Sequence, residues 1–279
     1  MSFEPGNPET SDCDYYEANR RLWNSRTPLH IDSKFYDMAG FRAGKSSLCG
    51  IELVEMGPIA GKSLLHLQCH FGQDTISLAR HGAQVTGVDF SETAIQAAKI
   101  LAEELQTPAE FLCHNIYDMP DQLNGQFDIV FTSFGTIGWL HDIQQWARLI
   151  FRLLKPGGRF YMIEFHRFYH LFNETGLLIY PYFHSPIPDQ EISDKTYADG
   201  LKHEPMAEYW WNHSMSDIIM ALLQSELQIE LFHEFPYSVY RLGDQMVEIN
   251  SGKWVFPGIR DKIPYMFSIG ASRPSTKRL

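Results

Sequence analysis

Cysteine is scarce in this chain. Its four residues, Cys13, Cys49, Cys69 and Cys113, stand far apart with no CxxC pair among them. That spacing excludes a disulfide framework and the paired-ligand pattern of structural zinc. Basic runs are equally scarce. The 23 Lys and Arg are outnumbered by 34 Asp and Glu, giving a formal net charge of −11. Beyond the short pair Lys277-Arg278, no cation run is long enough to follow a nucleic-acid backbone. No apolar run reaches the roughly 18–20 residues that a membrane span requires. The polar opening from Ser2 to Asp14 also lacks the apolar centre of a secretion signal. These absences describe a soluble cytoplasmic protein with reduced thiols, no nucleic-acid partner and no membrane partner.

What is present is an ordinary globular composition, 44% apolar over 279 residues, which suits one large domain or one domain with an insertion. Residues 1–13 read as a mobile lead-in. A weak capping signal at Asp14 and Glu17 starts a short helix from about Tyr15 to Asn24, with Thr27-Pro28 expected to end it. A second short helix spans Leu48 to Met56 and stops at Gly57-Pro58. From Lys62 the pattern alternates. Ser63–Leu67 and Gln84–Asp89 read as strands, separated by a helix from Gly72 to His81-Gly82. Ser91 caps a helix reaching Glu104. Strands follow at Glu110–Cys113, Phe127–Thr132 and Arg159–Phe165, with a helix from about Asp142 to Leu154 before the last. Strands alternating with helices of this length imply a parallel sheet covered on both faces. From about His166 to His213 the alternation breaks and aromatics and histidines concentrate. Here Leu177–Phe183 and Met206–Trp211 read as strands of a small β-rich cap; the alternative is an ordinary subdomain core. A helix over Met215–Leu227 and strands at Gln228–Phe235 and Tyr265–Ser272 complete the sheet. The organisation is thus a lead-in with lid helices (1–60), a ligand-binding core (61–165), a cap insertion (166–213) and a C-terminal completion (214–279).

In an open α/β sheet, ligand binds beyond the carboxyl ends of the strands, where the loop after the first strand meets a helix N-terminus. Asp89 closes the second strand, and a carboxylate there accepts hydrogen bonds from both hydroxyls of a ribose. Helix capping is the competing role for Asp89, but Ser91 already fills it. The loop Gln68-Cys69-His70-Phe71-Gly72 holds one glycine. A dinucleotide site wants G-x-G-x-x-G, so that backbone can approach a pyrophosphate. S-adenosylmethionine, with a carboxylate and an ammonium instead of phosphates, suits this loop better.

Four motifs in order carry a resemblance. Leu64-Leu65-His66-Leu67-Gln68-Cys69-His70-Phe71-Gly72 resembles the first motif of class I S-adenosylmethionine-dependent methyltransferases. Val88-Asp89-Phe90-Ser91 resembles their second, and Phe127-Asp128-Ile129-Val130-Phe131 their fourth strand. Leu153-Leu154-Lys155-Pro156-Gly157-Gly158-Arg159-Phe160 resembles the turn before their fifth. The set covers about residues 60–165. Leu65–Gly72 with Phe183-His184 and Trp211-Asn212-His213-Ser214 is further similar to a bacterial subfamily of functionally undefined methyltransferases. The resemblance implies a Rossmann-like, doubly wound, mostly parallel sheet of seven strands, α/β in class, with a β-rich cap. Three positions depart from the family pattern: His66 replaces its acid, and Gln68 and His70 replace two glycines. His66 reads as a core histidine ahead of a catalyst; a metal bound by His66, Cys69 and His70 is the remote alternative.

By the same correspondence, the backbone of Gln68, Cys69, His70 and Gly72 holds the methionine tail, Phe90 covers adenine, and Asn115 and Ile116 read its edge. Ser133 and Phe134 pass near the sulfonium, and Gly135 and Gly138 keep that loop thin. For Phe90 the competing role is core packing, and for Asn115 a plain turn. Tyr15, Tyr16 and Trp23 are lid candidates, and Tyr182, Tyr209 and Trp211 wall candidates. Each of the six is more often plain core than wall. Methyl transfer is an in-line displacement that needs no fixed dyad. A base helps when the acceptor starts protonated. His166, directly after the fifth strand, is the candidate, with a structural hinge as the equal alternative; His184 and His213 follow. The expected acceptor is a small, partly apolar molecule. A non-catalytic S-adenosylmethionine binder and, further off, a nucleotide-dependent oxidoreductase stay open. Oligomeric state has no signature in the sequence.

Overall fold

The computed structural model describes residues 4–5, 12–172 and 177–275. Most of the expected lead-in and the pair Lys277-Arg278 lie outside the described residues. In chain order the elements are β1 (Glu4–Pro5), α1 (Asp12–Asp32), α2 (Met38–Arg42), α3 (Ile51–Met56), β2 (Ser63–Leu67), α4 (Gln73–Arg80), β3 (Gln84–Asp89), α5 (Glu92–Glu104) and β4 (Glu110–Cys113). They continue with β5 (Phe127–Thr132), α6 (Ile143–Leu153), β6 (Leu154–Phe165), β7 (Asp189–Lys195), β8 (Lys202–Trp210), α7 (Met215–Gln224), β9 (Gln228–Phe235), β10 (Val247–Asn250), β11 (Lys253–Val255) and β12 (Met266–Ser272).

Seven strands form one sheet in the order β4-β3-β2-β5-β6-β12-β9. β12 runs antiparallel to both its neighbours, and the other pairings are parallel. The chain winds outward from β2 through β3 to β4, then crosses back to β5. The reversal opens a crevice beyond the carboxyl ends of β2 and β5. This is the Rossmann-like sheet that the resemblance implied.

Burial on both faces explains the apolar runs. In β2, Leu65 and Leu67 pack with Val130, Trp146, Ile150, Leu153 and Phe160 on the α6/α7 side. Leu64 faces the opposite way, toward Leu78, Ile129, Phe131 and Tyr161. A strand covered twice has no face to leave polar, so its sequence is nearly continuous in hydrophobics. Helix starts are set locally. Ser91 Oγ accepts from Ala94 N at 3.1 Å, and Asp142 Oδ1 accepts from Gln145 N at 2.8 Å. Ser214 and Asp217 form a capping box at α7.

Three sequence expectations fail here. Thr27-Pro28 does not end the first helix, because α1 runs through Pro28 to Asp32. Tertiary bonds hold it: Asn19 Nδ2 donates to Tyr209 O at 2.8 Å, Tyr209 N donates back to Asn19 Oδ1 at 2.9 Å, and Arg26 pairs with Glu208. The second helix begins at Ile51 rather than Leu48, after Gly50 in a left-handed conformation. Leu177–Phe183 forms no strand beyond an isolated bridge between Leu178 and Phe172. The hairpin of this region is β7–β8, whose second strand contains most of Met206–Trp211. Glu4–Pro5 adds to its edge. The segment between β9 and β12, unassigned from sequence, folds as the β10–β11 hairpin and brings Tyr240 and Leu242 back to the crevice.

Candidate active site

The carboxyl ends of the strands open into a cavity of about 740 Å³. Its floor is the loop after β2. Gln68, His70 and Gly72 there have φ of 55°, 50° and 82°. For Gln and His this left-handed backbone costs roughly 1–2 kcal/mol each, and local bonds offset it. Gln68 Nε2 donates to Thr136 O at 3.0 Å, and His70 N donates to Asp89 Oδ2 at 2.9 Å. The His70 ring meets His30, with Nε2 2.8 Å from His30 Nδ1. Two of the family's glycines are thus replaced without losing the backbone path that glycine favours. Gly72 has no such freedom: a Cβ would sit 2.8 Å from the Phe111 ring and 3.0 Å from Ala98 Cβ. Cys69, buried behind the loop, shares a tight corner with Gly87.

Asp89 ends β3 at the cavity wall. Besides His70 N, it accepts from Ser91 N at 2.9 Å through Oδ1. Each oxygen keeps a lone pair for a further donor. Burial pushes its carboxyl up to about 6, against which the bonds from Ser91 and His70 pull down. Phe90 and Asn115 stand partly exposed on the same wall, and Ile116 is buried beside them. Asn115 Oδ1 accepts from Tyr117 N at 3.1 Å, capping its own turn. Ser133 lies opposite, its Oγ 3.1 Å from His66 Nε2, while His66 Nδ1 is 2.8 Å from Thr75 Oγ1. Burial drives His66 down to about 3 and keeps it neutral. His66 thus spends both ring nitrogens on hydroxyls and His70 its Nε2 on His30, and among the described residues no His/Cys/Asp/Glu group is disposed to hold a metal.

Helix α1 closes one side. Trp23 meets the His70 and Trp139 rings edge-on at 5.2 and 5.4 Å, and Tyr16 Oη is 2.6 Å from His141 Nδ1. Tyr15 is buried against Tyr209 and Trp211, away from the cavity. Of the expected walls, Trp211 lines the cavity. Tyr182 instead accepts from Met215 N, and Tyr209 bonds Asn19, so neither reaches it; Trp210 does.

His166 is the main correction. It lies outside the cavity, because its neighbours Phe165 and Arg167 take the wall positions. Its Nδ1 accepts from Phe168 N at 3.1 Å, and Nε2 lies 3.0 Å from Glu234 Oε1 across the sheet. Burial lowers its pKa while Glu234 raises it. Such a ring anchors the exit of β6 and has no access to a substrate in the cavity. Sequence reasoning missed Glu164, one residue inside the strand. Its buried carboxylate accepts from Thr136 N (2.7 Å), Thr136 Oγ1 (3.0 Å), Ile137 N (3.1 Å) and Gly135 N, fixing the loop after β5. The signal was available: a lone acid in the apolar run Phe160–Phe165 needs a polar reason to be there.

Residues 64–158 match the family described as methyltransferase domain. Among curated relatives, a demethylmenaquinone methyltransferase of Lactococcus lactis is 34% identical over 164 residues, covering 56% of this chain and 59% of that protein. The chain spans about half the length of the curated relatives it matches. Geranyl diphosphate C-methyltransferase of Streptomyces coelicolor superimposes with a TM-score of 0.59 at 19% identity, covering 96% of this chain and 99% of that one. The 1,6-didemethyltoxoflavin-N1-methyltransferase of Burkholderia thailandensis does so with 0.58 at 14% identity, covering 98% and 95%. Residues 64–158 thus match a methyltransferase domain, and the chain shares its fold with solved S-adenosylmethionine-dependent methyltransferases.

Proposed function

We propose that the protein moves a methyl group from S-adenosylmethionine to a small-molecule acceptor by in-line displacement. The observation that carries this reading is the Asp89 carboxylate, held at the cavity wall by two backbone N–H groups with acceptor capacity to spare. A sugar diol fits that geometry. The cavity chemistry also suits a sulfonium. His66 and His213 on the wall, and His30 behind His70, are held neutral, at about 3, 4 and 3, each chiefly by burial, so they add no opposing charge. Asp74 and Glu164, raised by burial, gain from a nearby cation, and the faces of Trp23 and Phe134 attract one.

Bound there, S-adenosylmethionine supplies an electrophilic methyl group on sulfur. The chain's own residues do the rest by position. Asp89 and the Gln68–Gly72 loop hold the donor, Phe90 and Ile116 flank its base, and Glu164 keeps the Ser133–Ile137 loop thin and fixed beside the reacting centre. Alignment of this kind contributes roughly 7–11 kcal/mol in model systems. α1 and the β7–β8 hairpin act as the cover that excludes water. The relatives' names point to small-molecule acceptors, such as demethylmenaquinone for the Lactococcus lactis protein.

The test is a screen for S-adenosylhomocysteine release against a metabolite library, with calorimetry of S-adenosylmethionine and NAD alongside. Acceptor-dependent release that disappears in Asp89→Ala is the expected result. Donor binding with no release by any acceptor would make the protein a binder. NAD binding without S-adenosylmethionine binding would overturn the reading.

A further inference from the structure

Arg167 follows β6 by two residues, at the edge of the sheet next to the end of β5. It lines the cavity, half-buried, in a 3₁₀ turn capped by His166. Its hydrogen bonds are few. Nη2 and Nε both donate to one carbonyl, Pro181 O, at 3.0 and 3.4 Å. A guanidinium carries five N–H donors in a rigid fork. Among the described residues no carboxylate is in ion-pair contact with it. Asp189, the acid whose charge it feels, has Oδ2 taken by Asn212 Nδ2 at 2.6 Å. Burial lowers Arg167 to about 10, so it stays charged.

Trp211 and His213 line this end, but their ring nitrogens Nε1 and Nδ1, without a partner among the described residues, are buried behind the wall and do not face the cavity. His213 Nε2 lies 2.7 Å from Leu140 O and must carry its proton there, leaving Nδ1 an acceptor. The rest of this end is apolar: Leu140, Met215 and Ile218. A half-buried guanidinium with a single carbonyl acceptor gains from an anion that answers its remaining donors.

We propose that Arg167 is the specificity residue of the acceptor site, and that the acceptor is a partly apolar molecule carrying an oxyanion, a carboxylate or a phosphate. The fork of Arg167 matches either group, and the apolar side chains at this end of the cavity, Met215 among them, receive the rest of the molecule. This deepens the methyl-transfer reading and rests on it. An acceptor anchored by Arg167 stands over the β5–β6 edge, within the same cavity as the donor residues Asp89 and Ser133.

The experiment is calorimetric titration of benzoate, phenyl phosphate and neutral benzamide into protein saturated with S-adenosylhomocysteine. The expected result is binding of at least one anion about tenfold tighter than benzamide, with the preferred anion identifying carboxylate or phosphate. Arg167→Met should abolish the preference, and Arg167→Lys should keep part of it, since the charge remains but the fork is gone. Equal binding of benzamide, no binding of either anion, or a preference that survives in Arg167→Met overturns the proposal. The S-adenosylhomocysteine titration that precedes each run separates the two failures. If that ligand does not bind, the methyl-transfer reading falls; if it binds and the anions show no preference, only the Arg167 proposal falls.

Discussion

Lowering the pH should weaken donor binding through one residue. Asp89 is buried, and its carboxyl is raised from 3.8 to about 6. Ribose hydroxyls donate to the ionised carboxylate, so binding favours the deprotonated form and must fall as pH drops through 6. With that pKa the ionised fraction is roughly 0.9 at pH 7 and 0.1 at pH 5, which makes the loss of affinity about tenfold. The buried histidines do not compete in this window, because His30, His66 and His213 titrate at about 3, 3 and 4. The assay is calorimetric titration of S-adenosylhomocysteine at pH 7 and pH 5, in wild type and in Asp89→Ala. The variant should bind about 10²–10⁴-fold more weakly, from two lost charge-assisted hydrogen bonds of about 1.5–3 kcal/mol each. An equal wild-type affinity at both pH values would refute the assignment. The same shift acts on stability with the opposite sense. A folded pKa above the unfolded value means that Asp89 favours folding fully below about pH 4. That contribution is lost as pH rises through 6, whereas donor binding tightens over the same range, so bound donor should raise Tm more at pH 7 than at pH 5.

Gly72→Ala places a methyl group 2.8 Å from Phe111 on a left-handed backbone, and should cost about 3 kcal/mol in denaturant melts. Arg26→Met strands the Glu208 carboxylate, which is 12% exposed, and should cost about 3–5 kcal/mol; adding Glu208→Gln should recover most of it. Glu164→Ala frees the backbone of residues 135–137, and should lower both stability, by about 3 kcal/mol, and turnover, read by melts and by product release. His166→Ala should leave the pH dependence of turnover unchanged, since the ring has no path to the cavity; a displaced pH–rate profile would return it to the site.

The alternation of the core was legible because a parallel sheet buried on both faces leaves little choice of residue. β2, β3, β4 and β5 have the bounds that the sequence pattern sets, and Ser91 caps α5 as its position implies. The misreadings are tertiary in origin. Pro28 lacks the N–H of a helix interior, but α1 is bonded along its length to β8 and α5, and those bonds outweigh one missing donor. Leu177–Phe183 has the composition of a strand, but among the described residues its pairing is the isolated bridge of Leu178 with Phe172. Within the cavity, residues that follow strand ends in the motif order were placeable from sequence. Tyr36, Tyr197 and Tyr240 come from segments that cross over the sheet, and no local pattern announces where such a segment returns. His166 drew attention because histidine is a familiar base. Glu164, Phe165 and Arg167 hold the wall around it, while its own ring turns to Phe168 N and Glu234.

The most direct measurement is a crystal structure of the protein grown with S-adenosylhomocysteine. The account expects both ribose hydroxyls within hydrogen-bond distance of the Asp89 carboxylate, the adenine between Phe90 and Ile116, and the sulfur toward Ser133. A ligand lodged elsewhere, or a crevice closed by His70 and Trp23 with none bound, would contradict it.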